Sequence, residues 1–149
     1  MNPETPRRTL NFTDLDAVVA DVEALAAGGY EKAGQWDLSQ VCGHLTEWMR
    51  YPLDGFPRPG LPIRLMLWAM RNTIGKRELR KVLANQAMPT GGPEPAAVEQ
   101  LRRTVARFQA HQGPLHPSPL FGALDHATAT QLQLVHCAHH LSFLVPKRP

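Results

Sequence analysis

Proline constrains this chain more than any other residue. Inside a helix it removes a backbone donor and its ring strikes the preceding turn, costing about 3 kcal/mol, so its positions mark where long helices are interrupted. The chain has 149 residues and fourteen prolines. Apart from the termini they form three clusters: Pro52, Pro57, Pro59 and Pro62; then Pro89, Pro93 and Pro95; then Pro114, Pro117 and Pro119. The stretches between clusters are free of proline and carry apolar residues at helical spacing.

Thr13, with Asp16 three residues on, predicts a capped start for a helix whose stripe is Leu15, Val18, Val19, Val22, Leu25 and Ala26; Gly28 and Gly29 stop it. A second helix is expected from Asp37 or Ser39, with Gln40 closing a capping box on Asp37 and Val41, His44, Leu45, Trp48 and Met49 facing inward. A third, from 63 to about 84, is apolar at first and basic afterwards. A fourth, from 96 to about 112, sets Val98, Leu101, Val105 and Phe108 against Arg102, Arg103 and Arg107. The last, from about 125 to 145, holds Leu132, Val135, Leu141, Phe143 and Leu144, and Pro146 ends it. No segment alternates in the manner of a half-buried strand. Hydrophobic residues at 43% and charged ones at 19% are an ordinary globular balance. The expected fold is therefore all-α: one domain over residues 1–149, a helical bundle with its core between the inner faces.

The net charge of +3 is modest and has no RNA-binding signature beside it, so no nucleic-acid partner is expected. The excess gathers in the 64 to 81 segment, with Arg64, Arg71, Lys76, Arg77, Arg80 and Lys81 against Glu78. That segment reads as a solvated helix face, with a rim that attracts an anionic substrate as the sharper alternative. The longest apolar run, Leu65 to Met70, falls far short of the roughly 20 residues a membrane span needs, and it is a candidate contact in a homodimer. The opening residues lack the apolar stretch of a signal peptide, so a cytoplasmic location is expected. Cys42 and Cys137 are too few for a disulfide framework and read as small buried hydrophobes.

The chemistry lies in the histidines. His136 and His140 stand four apart, so both imidazoles leave one face of the last helix, and His44 arrives on the inward stripe of another. Three such rings can hold a divalent cation and leave coordination positions open for water or substrate. Neutral imidazoles suit zinc, nickel, copper or iron, of which zinc, nickel or iron is expected here. His139, three residues after His136, converges less well and reads as a flank to the pair. Glu47 can orient an imidazole, relay a proton or stay solvated, and Trp48 can line the pocket. His116, in the run His116-Pro117-Ser118-Pro119, can fold over the mouth, whereas His111 and His126 lie in or beside loops.

Two segments carry a resemblance: Trp36-Asp37-Leu38-Ser39-Gln40-Val41-Cys42-Gly43-His44-Leu45, and His136-Cys137-Ala138-His139-His140-Leu141. Together they resemble the signature segments of the DinB/YfiT-like superfamily, and within it the bacterial domain-of-unknown-function family 1569. The likeness runs from Arg7-Arg8 to Leu144-Val145-Pro146. It implies a four-helix bundle with an up-down-down-up path and an extra helix in the long crossover. It also implies a divalent ion on His44, His136 and His140. Relatives in the superfamily include thiol-dependent transferases, which implies a low-molecular-weight thiol as possible cosubstrate and a small-molecule substrate. Two functions of different class follow: a metal-dependent hydrolase or transferase, or a metal-binding bundle without catalysis.

Overall fold

Asp14 begins the first helix, α1 (Leu15–Gly28), by accepting from the Ala17 amide at 2.8 Å. The cap lies one residue beyond the expected Thr13, whose hydroxyl instead donates to the Asp14 carboxylate. A carboxylate both accepts the orphan amide and complements the positive end of the helix, which a hydroxyl does not. Leu15, Val18, Val22 and Leu25 are buried at spacings of three and four, and Gly29, at φ 75°, turns the chain out by donating to the Leu25 carbonyl.

The computed structural model describes residues 6–58, 60, 61, 65, 89, 91–119 and 121–147, and the chain divides into two units: Met1–Phe56 with Pro89–Pro149, and Pro57–Met88. The helix expected over 63 to 84, the basic 64 to 81 segment and, apart from Leu65, the Leu65 to Met70 run lie outside the described residues. The first unit contains three further helices: α2 (Leu38–Asp54), α3 (Glu94–Ala110) and α4 (His126–Leu141). The Asp37–Gln40 capping box opens α2 as expected: Asp37 accepts from the Gln40 amide and Gln40 accepts from the Asp37 amide. Asp125 caps α4 through the Thr128 amide.

Two prolines read as helix interruptions lie inside helices. Pro95 sits in the first turn of α3, where its missing N–H would have had no partner in any case. Pro52 sits in the last turn of α2 and leaves the Trp48 carbonyl without its helical donor. Gln133 of α4 supplies the replacement, its side-chain amide donating to that carbonyl at 3.2 Å. The Pro52 carbonyl accepts from the His116 amide at 2.8 Å.

The fold is mostly helical, with one small addition. Helix α4 stops at Leu141 rather than running to 145, and Leu144–Pro146 forms a strand, β2, antiparallel to β1 (Tyr30–Lys32) with Tyr30 opposite Pro146. Three residues are too few to display an alternation, so periodicity could not reveal either strand. The N-terminal segment closes over this end. Arg8 makes a two-pronged ion pair with Asp21 and donates to the Leu141 carbonyl, while Arg7 stacks its guanidinium 3.9 Å from the Phe143 ring centre.

The core runs between the four helices. Leu38, Val41, Leu45 and Met49 of α2 meet Leu101, Val105 and Phe108 of α3 in one buried cluster with the α1 stripe and with Leu134, Cys137 and Leu141 of α4. Leu134, Cys137 and Leu141 face this cluster, which turns His136 and His140 toward α2. Val135, expected in the core, is 68% exposed.

Candidate metal centre

His44 lies near the middle of α2, and His136 and His140 are a turn apart on α4. The rings meet. His44 Nε2 and His136 Nε2 are 3.2 Å apart, and ring centres are separated by 4.5 Å for His44–His140 and 4.7 Å for His136–His140. One nitrogen from each histidine lies within 4.8 Å of the other two. Nitrogens bound to one metal at about 2.0–2.1 Å stand roughly 2.8–3.4 Å from their neighbours in octahedral or tetrahedral geometry, and the His44–His136 separation falls in that range. The cluster can therefore hold a metal ion. No fourth His, Cys, Asp or Glu joins it among the described residues.

Electrostatics favour the ligand form. All three rings are half-buried, and burial is the main force lowering each pKa. His136 falls to about 4 and His140 to about 3, with the neighbouring histidines adding to the effect, while Glu47 partly offsets the lowering of His44. Neutral imidazole is the species that binds a cation, so near pH 7 no proton has to leave.

Trp36 holds the rings in place. It sits just before the Asp37 cap, stacks flat on His140 with ring centres 5.2 Å apart and planes at 3°, and meets His44 edge-on at 5.1 Å. The sequence motif Trp36-Asp37 assigns this ring no role. Its only signal was its position directly before a capping box that sends the chain past His44.

The other candidates scatter around this centre. Trp48 stands with its ring 6.1 Å from His44 and 5.8 Å from His136. His139 is exposed, edge-on to His140 at 4.9 Å and to Phe143 at 5.6 Å. Glu47 is exposed and hydrogen-bonded to the Tyr51 side chain, so it acts on His44 through its charge. His116 lies beside Gly55 at the end of α2, apart from the three-ring cluster. His126 contacts the Phe108 carbonyl at 2.8 Å and His111 the Pro114 carbonyl at 3.3 Å. Cys42 and Cys137 adjoin the histidines in sequence yet are fully buried, and burial pushes both thiols up to about 12.

A hollow of about 460 Å³ opens beside the centre. His136 forms part of its wall, and Trp48, Phe56, Phe121, Leu124, Leu132 and Val135 supply most of the rest.

A helical fold with three imidazoles converging from two helices defines a candidate metal-binding bundle. The chain belongs to a protein family of unknown function, DUF1569, whose model matches residues 4–147. No curated protein and no solved structure matches it. No described helix is long and apolar enough to cross a membrane.

Proposed function

We propose that this protein is a metal-dependent enzyme of the DinB/YfiT-like kind. In this reading His44, His136 and His140 hold one divalent ion, zinc, nickel or iron, and a water or a low-molecular-weight thiol is activated for hydrolysis of, or transfer to, a small molecule. The carrying observation is the meeting of three ring nitrogens, one from each histidine, within 4.8 Å. A divalent ion with three uncharged ligands keeps its full charge and supplies Lewis acidity, lowering the pKa of a bound water or thiol. The chain's own part is positional. Trp36 fixes the planes of His140 and His44, Gln133 ties α4 to α2 at the Trp48 carbonyl, and burial keeps the rings deprotonated. Structural zinc sites are usually closed by four protein ligands, so a set of three among the described residues favours catalysis over a purely structural ion.

Elemental analysis of protein purified without a histidine tag tests the assignment. The parent carries about one ion per chain, and His44→Ala, His136→Ala and His140→Ala each lose most of it. Metal retained in all three variants ends the proposal. Thiol cosubstrates with simple esters and amides are the first substrates to screen.

A further inference from the structure

The hollow beside His136 has a chemical character of its own. Among the described residues no Asp, Glu, Lys or Arg lines it, although the chain carries 16 basic and 13 acidic residues. Its polar side chains are Ser118, Gln133, His136 and His139, and the Gln133 amide nitrogen is already engaged by the Trp48 carbonyl. Its volume of about 460 Å³ lies within the roughly 300–1,000 Å³ usual for small-molecule sites. Three of its walls are aromatic: Trp48, Phe56 and Phe121. Val135 and Phe121 stand 68% and 54% exposed at this face, an apolar surface in water at the edge of the histidine centre.

We propose that this hollow takes the uncharged aryl or branched alkyl part of the substrate, with the reacting group directed past His136 toward the three imidazoles. The proposal rests on the metal-dependent reading above and adds the substrate class: neutral, apolar-tailed molecules, with carboxylates and phosphates excluded from the hollow. A charged group held among the lining residues would lose its hydration without gaining an opposite charge from any of them, so only a group that reaches the ion itself would find one. His136 belongs to both cation site and wall, so occupant and ion would be neighbours.

Two sets of probes separate the inference from the reading it rests on. In zinc-loaded protein, calorimetry compares benzohydroxamate with acetohydroxamate, which share a chelating head and differ in the tail. The aryl probe should bind at least about tenfold tighter, given the apolar area a phenyl ring adds. In chelator-treated protein, NMR titration compares benzamide with benzoate, and only benzamide should bind. Val135→Asp, at an exposed position that folding tolerates, should weaken both aryl probes about tenfold or more and leave acetohydroxamate unchanged. Phe121→Ala should act in the same direction without adding charge. Equal hydroxamate affinities, or benzoate binding as well as benzamide, overturns the inference. So does a dimer in sedimentation that Val135→Asp dissociates while benzamide fails to bind, since the face would then belong to a second copy. Failure of both hydroxamates with benzamide binding intact removes the metal reading and leaves the apolar preference of the hollow standing.

Discussion

Acidification of the metal-free protein from pH 7 to pH 5 should destabilise it through the histidine centre. His136 has a folded-state pKa of about 4 against an ordinary 6.5, so the folded form binds fewer protons than the unfolded chain between those values. Stability from this source is fully present above 6.5 and is lost as pH falls toward 4. At pH 5 the unfolded chain is about 97% protonated at this site and the folded form about 10%, a linkage of about 2 kcal/mol compared with about 0.2 kcal/mol at pH 7. His140 shifts the same way but is less enclosed, so solvent screening reduces its share. Asp54 and Glu99, held near 2 mainly by hydrogen bonds from arginine, contribute little in this window, because ordinary carboxylates are already mostly ionised at pH 5. With a urea slope of about 1–3 kcal/mol per molar, the midpoint should fall by roughly 1 M. The assay is urea unfolding in chelator at pH 7 and pH 5, for the parent and for His136→Asn with His140→Asn, in which the titrating rings are replaced by amides. A flat midpoint in the parent, or an equal fall in the double variant, refutes the argument.

Three further outcomes follow from the fold. Asp37→Ala removes both the side-chain acceptor and the capping box that start α2, and should cost about 1–2 kcal/mol in thermal or urea unfolding; an unchanged midpoint would show that the cap is not what starts the helix. Gln133→Leu leaves the Trp48 carbonyl unpaired but also removes a buried side-chain oxygen that has no partner, so the net loss should be about 1 kcal/mol, and a stabilised variant would contradict the assigned bond. Cys42 and Cys137 should resist iodoacetamide at pH 8 in native protein and react together on unfolding; rapid native labelling of either thiol would contradict its burial.

The parts of the fold legible in the sequence were those encoded within one turn or one face. The Asp37–Gln40 box placed the start of α2, and the Leu101, Val105 and Phe108 spacing placed the buried stripe of α3. Proline interrupts less than its cost alone implies: at Pro95 a first turn tolerates the missing donor, and at Pro52 a side chain from another helix replaces it. The strands β1 and β2 were invisible because their pairing joins residues over a hundred positions apart and is three residues long. The His44, His136 and His140 trio was legible because spacing of four and an inward stripe are local properties. Trp36 stacked on His140 was not, since ring orientation depends on how the chain enters a helix and periodicity is silent about that. Val135 shows the limit of stripe counting: one position that periodicity assigns to the core instead borders an open hollow.

The Pro52 gap has a consequence for assembly of the centre. Because the Trp48 carbonyl is the one that Pro52 deprives of its helical donor, Gln133 works as a key cut for that slot, and sliding α4 by a turn would strand donor and acceptor alike. That bond supports the register that brings His136 opposite His44, so a cation would find its three nitrogens already gathered.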